Sequence, residues 1–187
     1  SVRRSSTKRS ATTGQGQLIV RKAVRRDAPA IAKLGRELNR HQKEPTRYFT
    51  LTAILKDGFG RVPQFQCLIA ELNGKSVGYA LMVPAYETGW AARGLYINDL
   101  HVTASARGKG VGRALVAACA AFAKQQKKTF RWWASKSWNK QAQAFYKGLG
   151  AIHEPVVAHA LTFDSFEALA KEGAISRGRR KSPRRHK

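Results

Sequence analysis

Apolar positions recur along this chain with two different periods. Leu18–Val24 is a short apolar run that reads as a first strand. Ile31, Leu34 and Leu38 follow at i, i+3 and i+7, one buried face of a helix, with Asp27 placed to cap it and Pro29 in its first turn. Leu51, Ile54 and Leu55 predict a short second helix, stopped at Gly58 in the DGFG turn of Asp57–Gly60. Phe65–Glu71 (FQCLIAE) and Ser76–Val83 are strands joined by Asn73-Gly74, a strong hairpin signal because both residues tolerate positive φ. Pro84–Ala92 reads as a loop and Gly94–Val102 as a long central strand. Gly110–Gln126 is helical, with Val111, Leu115, Ala118, Cys119 and Phe122 on one stripe. Thr129–Ala134 (TFRWWA) is expected to be a buried strand, its alternation sending Phe130, Trp132, Trp133 and nearby Trp138 to core packing rather than base stacking. Asn139–Leu149 is a helix with Ala142, Phe145, Tyr146 and Leu149 together, Val156–Phe163 a last strand, and Asp164 the cap of a terminal helix through Ala170. A hairpin followed by strand-helix-strand units predicts an α/β fold with a mixed central sheet flanked by helices.

Charge changes this picture more than composition does. The 187 residues carry 35 Lys and Arg against 11 Asp and Glu, a net charge of +24. Four of the basic residues lie in the acid-free segment 1–17 and seven in the acid-free segment 176–187, which leaves 24 basic against 11 acidic residues, +13, in between. The domain organisation expected is a basic tail over 1–17, disordered or partner-bound, a single domain over 18–175, and a second basic tail over 176–187. Such an excess of one sign opposes compactness unless a polyanion offsets it, and RNA phosphates are the commonest offset. RNA or a ribonucleoprotein is therefore an expected partner, with a homodimer admitted when the chain is free. The Ser/Thr/Arg-rich start suits the remnant of an organellar transit peptide, a tag remnant or simple removal of the initiator Met. Cys67 and Cys119 lie in apolar patterns without CxxC spacing, so buried free thiols in a reducing compartment, cytoplasm or mitochondrial matrix, are expected, with no metal site. No apolar run approaches the ~20 residues that cross a bilayer.

The densest chemistry lies in Tyr96–Lys124, where the central strand runs into RGKGVG (Arg107–Gly112) and then into a long helix. Gly108, Gly110 and Gly112 let backbone approach a ligand closely. The free amides and dipole of the helix start favour an anion, and Arg107, Lys109 and Arg113 add full charges around Val111. A phosphate or pyrophosphate is the expected ligand group. The loop lacks the G-K-[ST] ending of a P-loop, and no acid follows at the spacing of a dinucleotide fingerprint.

A second motif, WNKQAQAFYKGLGA (Trp138–Ala151), narrows the reading. With Arg107, Gly110 and Gly112 matching [Q/R]-x-x-G-x-[G/A], and Asn139, Ala142, Phe145, Tyr146, Leu149 and Gly150 matching N-x-x-A-x-x-F-Y-x-x-L-G, the chain resembles the GNAT family of N-acetyltransferases over about residues 18–163. DGFG, FQCLIAE and the D-L-H-V strand end (Asp99–Val102) make it most similar to the diamine and polyamine branch. The resemblance implies a GNAT fold and acetyl-CoA as co-substrate. Gly108–Arg113 would hold the pyrophosphate, and the main chain of Leu100, His101 and Val102 would pair with the pantetheine arm. Asn139 and its neighbours through Ala142 would line the far side of the cofactor, and Tyr146 would be the general acid toward the leaving thiolate.

One position departs from that branch. Where the polyamine enzymes keep a glutamate that handles the substrate amine, this chain has Asn98, which cannot accept a proton. Asp99 is adjacent, but simple alternation places it on the opposite strand face, with His101 beside it as a substitute base or a structural histidine. A +24 protein also repels a polycation. The expectation is an acetyl-CoA-dependent N-acetyltransferase acting on a primary amine of a protein or small molecule other than a polyamine, with RNA associated through the basic surface and tails. The alternative keeps the fold as a structural RNA-binding component of a ribonucleoprotein, such as an organellar ribosome, with weak or no catalysis.

Overall fold

The computed structural model describes residues 16–173, and these fall into two units divided between Leu149 and Gly150. The two basic tails lie almost wholly outside the described residues. In the first unit, β1 (Leu18–Lys22), α1 (Ala28–Gln42), α2 (Leu51–Asp57), β2 (Gln66–Leu72), β3 (Lys75–Glu87), β4 (Ala92–Val102), α3 (Val111–Gln125), β5 (Phe130–Trp132) and α4 (Lys140–Gly148) follow in order. The sheet runs β1-β2-β3-β4-β5, antiparallel except for the last pair, which is parallel.

The hairpin turn is as expected: Asn73 and Gly74 both have positive φ, 52° and 74°. Pro84–Ala92 corrects the reading as a loop, since β3 continues through Glu87 and β4 begins at Ala92, with only a short turn between. Pro84 is tolerated there on exposed backbone, and its neighbours Val83 and Ala85 keep the alternation of the ladder. α1 is capped differently from the simple expectation. The Asp27 carboxylate accepts from the Val24 amide at 2.8 Å and from both terminal nitrogens of Arg21, rather than from the first turn of α1. Arg21 also reaches Glu71, so one guanidinium ties β1, the turn before α1 and β2 together and holds the buried Asp27 carboxyl below its usual range.

Two apolar layers sandwich the sheet. On one face Ile31, Leu34 and Leu38 of α1 and Ile54 of α2 pack with Ile69, Tyr79 and Leu81. On the other, Val111, Leu115, Cys119 and Ala123 of α3 pack with Leu68, Ala80, Met82, Leu95 and Ile97. The period-3.6 stripes thus end up on the faces the sequence assigned to them. Both cysteines are buried and free; burial pushes Cys119 up to about 12 and raises Cys67 likewise, so neither supplies a thiolate at neutral pH.

After α3 the correspondence weakens. β5 is three residues rather than Thr129–Ala134, and it is only half buried. Trp132 and Trp138 are 52% and 50% exposed, which corrects their assignment to the core; only Trp133 packs against the α3 layer. β5 pairs β4 through Gly94–Tyr96 alone and has no second partner among the described residues, so little of the described chain covers its outward residues. In the second unit Val156–Phe163 is not a strand: irregular chain leads to α5 (Phe163–Glu172). That helix is capped at Thr162, whose amide donates to Ser165 Oγ, and Asp164 lies inside the first turn instead of at the cap. No helix among the described residues is long and apolar enough to cross a membrane.

Candidate active site

The site is built outward from β4. Its ladder with β3 slips between Leu81 and Met82, which face Asp99 and Ile97, so Asn98 is the extra residue of a β-bulge. The bulge resets the alternation. Leu95 and Ile97 lie on the α3 face before it, Leu100 and Val102 on the same face after it. This corrects the expectation that Asp99 turns away from Asn98, because strict alternation does not hold across an inserted residue. The Asn98 Nδ2 donates to Asp99 Oδ1 at 3.2 Å, and the hydroxyl of the fully buried Tyr79 donates to Asp99 Oδ2 at 2.7 Å. Burial raises the Asp99 carboxyl above the usual range, although both hydrogen bonds pull it back down.

His101 is committed elsewhere. It is 6% exposed, with Nε2 3.2 Å from Glu37 Oε2 on α1, and its burial lowers its affinity for a proton. Its ring belongs to the α1 layer, so only its main chain remains for a ligand. That main chain, with those of Leu100 and Val102, bonds β3 on one side. On the other side β5 ends its pairing at Tyr96, so Ile97–Val102 presents an open edge among the described residues. At ~3.3 Å per residue this edge is about 20 Å long, enough for an extended, amide-bearing ligand arm.

The edge leads straight into the loop. Thr103 donates its amide to Val77 O at 2.8 Å, while its buried hydroxyl has no partner. A one-turn helix at Ala104–Ala106 follows, and Arg107 Nε donates back to Val102 O at 3.2 Å, closing the loop base. Gly108 and Gly110 then adopt φ of 74° and 79°, which favour glycine, and a Cβ placed at either would meet nothing within 4 Å. The amides from Gly108 to Arg113 precede the first helical bond, Ala114 N to Gly110 O, and have no backbone acceptor. Arg107, Lys109 and Arg113 are exposed and form no ion pair among the described residues. Open amides, a helix N-terminus, three free cations and an orphaned hydroxyl are the donor set that a pyrophosphate and its polar tether require, so the residues present fit acetyl-CoA.

Gly112 serves a different purpose from the other two glycines. A Cβ there would come within 3.2 Å of Phe145, so its small size lets α4 close on the start of α3. Tyr146 follows on that helix, stacked at 5.3 Å centroid distance on both Trp133 and Phe145. Burial raises its hydroxyl above the usual tyrosine range, which keeps it protonated and able to donate. Asn139 is the N-cap of α4: its Oδ1 accepts from the Ala142 amide at 3.1 Å. Asn139 and Ala142 thus meet each other, a pairing that the spacing N-x-x-A carries as a capping signal and that sequence reasoning passed over in favour of ligand contact. The functional neighbours the sequence missed are Tyr79 and Glu37, since nothing local marks a buried tyrosine on the adjacent strand, 20 residues earlier, as a partner of Asp99.

An open strand edge feeding an anion cradle, with a protonated tyrosine one helix away, is the build of an acyltransferase that takes its acyl group from a coenzyme A thioester. The chain belongs to the acetyltransferase (GNAT) family, whose family model matches residues 29–151. It is similar to a thialysine N-epsilon-acetyltransferase of Bos taurus, 32% identical over 143 residues that span 72% of this chain and 84% of that protein. It is also similar to a human spermidine/spermine N(1)-acetyltransferase-like protein, 30% identical over 141 residues, 71% of this chain and 20% of that longer protein. These relatives agree with the diamine and polyamine branch. The fold matches an integron cassette protein from the V. cholerae mobile metagenome at a TM-score of 0.71, with 22% identity, covering 82% of this chain and 98% of the other. The protein is an acetyltransferase, and acetyl-CoA is its acetyl donor.

Proposed function

We propose that the chain moves the acetyl group of acetyl-CoA to a primary alkyl amine, with the amides of Gly108–Arg113 on the pyrophosphate and the Leu100–Val102 edge along the pantetheine arm. The observation that carries this is the continuity of open β4 edge, positive-φ loop and α3 N-terminus. Arg107, Lys109 and Arg113 supply charge to the phosphates; Val111 and Gly112 set the helix start and the seat of α4. The bound co-substrate supplies an electrophilic thioester carbonyl and a thiolate leaving group. Tyr146 supplies the proton that the leaving sulfur needs. The acceptor has a pKa near 10 and must arrive at the thioester neutral.

Two observations speak against a polyamine as the acceptor. Asn98 offers no charge to a second ammonium, and the +24 chain repels a polycation. Thialysine, the acceptor named for the bovine relative, has an α-amine beside its side-chain amine, but its carboxylate offsets one of the two charges, so it is a much weaker cation than a polyamine. The test is calorimetric titration with acetyl-CoA, then CoA release with thialysine, lysine, a lysine-bearing peptide and spermidine. Binding in the micromolar range with turnover of thialysine, lysine or the peptide ahead of spermidine is expected; no binding, with no release from any amine, sinks the reading.

The charge itself supports a second reading, in which the same fold serves in an RNA-protein particle. It requires RNA binding that weakens steeply with salt and again when residues 1–17 and 176–187 are removed. Absent or salt-independent binding excludes it. Both activities are compatible, because the cradle takes coenzyme and the tails are separate from it in sequence.

A further inference from the structure

The acceptor ammonium must lose a proton before it attacks, and Asn98 cannot take it. We infer that Asp99 takes it, held at the β4 bulge by Asn98 on one carboxylate oxygen and by Tyr79 on the other. This rests on the amine-acetyltransferase reading above. Three residues at this stretch of β4 have side chains suited to proton handling or its neighbourhood: Asn98, Asp99 and His101. Asn98 is exposed and has no basic group. His101 is turned into the α1 layer against Glu37. Asp99 is bonded directly to the exposed Asn98, so its carboxylate lies one hydrogen bond behind the open edge.

The surroundings of Asp99 suit the task. Tyr79 from β3, Cys67 from β2 and His101 from β4 face it, with Glu37 of α1 behind His101. Tyr79 and Cys67 are both held protonated by burial, so neither competes for the proton. Burial also makes the carboxylate a stronger base than an exposed aspartate, closer to the amine it must serve. The Asn98 amide, pointing at Oδ1, orients the carboxylate toward the edge and needs no change of protonation itself.

The protons balance. Of the three on the ammonium, one passes to Asp99, directly or through one water, and later to solvent. The amine lone pair forms the new C–N bond as the C–S bond breaks with its electron pair going to sulfur. A second proton leaves nitrogen for the Tyr146 oxygen as Tyr146 gives its own to sulfur, and the third remains on the amide product. No oxidant or metal is required.

The test uses Asp99→Asn, which keeps the Tyr79 hydrogen bond, and Tyr79→Phe, which keeps Asp99 but removes a bond that favours its charged form. With the best acceptor of the amine panel, Asp99→Asn is expected to lose about 10²-fold in kcat/KM at pH 7, and the loss should shrink toward pH 10, where the amine deprotonates itself. Tyr79→Phe should shift the acidic limb of the kcat/KM profile to higher pH. Independently of turnover, the carboxyl carbon of Asp99 should titrate by NMR above the ordinary aspartate range in the free protein, and higher still in Tyr79→Phe. Acetyl-CoA affinity by calorimetry should stay within about twofold in both variants. Wild-type turnover with an unaltered pH profile in Asp99→Asn, or an Asp99 that titrates as an ordinary aspartate, overturns the inference alone. Absence of wild-type turnover with every amine overturns the acetyltransferase reading on those amines, and this inference with it.

Discussion

The two ends of the Tyr96–Lys124 segment work by different physics. From Gly108 onward the site is mainly backbone: amides left open by the start of α3, with Gly108 and Gly110 at φ values that favour glycine and nothing within 4 Å of where their side chains would stand. From Asn98 to His101 the main chain keeps its open edge, while the side chains answer to partners on other elements: Asp99 to Tyr79, His101 to Glu37. The geometry of the backbone end needs only the glycines, and the exposed Arg107, Lys109 and Arg113 add charge around it. The side-chain end is set by a single inserted residue that decides which way every later side chain points. On the proposed reading, the coenzyme loop is thus built on a local rule and the acceptor side on a non-local one.

That difference can be broken experimentally, beginning with the largest effect. Tyr146→Phe removes the proposed proton donor while keeping the stack on Trp133 and Phe145; kcat is expected to fall about 10³-fold with acetyl-CoA affinity nearly unchanged, read by steady-state kinetics and calorimetry. Gly110→Val puts a β-branched residue at a φ of 79° and a side chain where the phosphates would lie. The strain, about 1–2 kcal/mol, lowers the stability of the fold, and the added side chain on the open face of the loop should weaken acetyl-CoA binding at least about tenfold. An affinity equal to wild type would remove the loop from the coenzyme site.

Asn139→Ala separates capping from ligand contact at one residue. If the Asn139 side chain acts as the cap of α4, the cost is about 1 kcal/mol of stability, seen as a lower urea midpoint, with acetyl-CoA affinity intact. A large loss of affinity without a loss of stability would restore Asn139 to the ligand shell. The smallest effect expected is that of His101. Burial lowers its folded pKa below 6.5, so its contribution to stability is complete above that value and is lost as pH falls through the folded value. The urea midpoint should therefore drop between pH 7 and pH 5, and His101→Asn should flatten that drop.

These contrasts also explain what was legible in the sequence. The α1 and α3 stripes, the Asn73-Gly74 hairpin and the RGKGVG loop are local patterns, and all were found where they stand. The Asn98 bulge was not, although the apolar phase changes across it, from Leu95 and Ile97 to Leu100 and Val102; strict alternation carried through the insertion puts Asp99 on the wrong face. TFRWWA looked buried because aromatic alternation is the mark of a covered strand, yet a strand with one partner over three residues has little to cover it. Tyr79 as a partner of Asp99 required the strand register, which only the folded chain supplies.

The open edge of β4 has one more consequence, and it concerns solubility. Unpaired strand backbone is a template for foreign strands, and the free Ile97–Val102 edge offers six residues of it. On the proposed reading, a pantetheine arm lying there would occupy the same hydrogen-bonding groups that an aggregating neighbour uses. Coenzyme would then act as a chaperone for its own enzyme: at a hundredfold excess over Kd it would stabilise the fold by about 2.7 kcal/mol. Purified without it, the protein should precipitate on warming sooner than with it, and desulfo- or acetyl-CoA should protect equally well, since the protection needs only the arm and not the reaction.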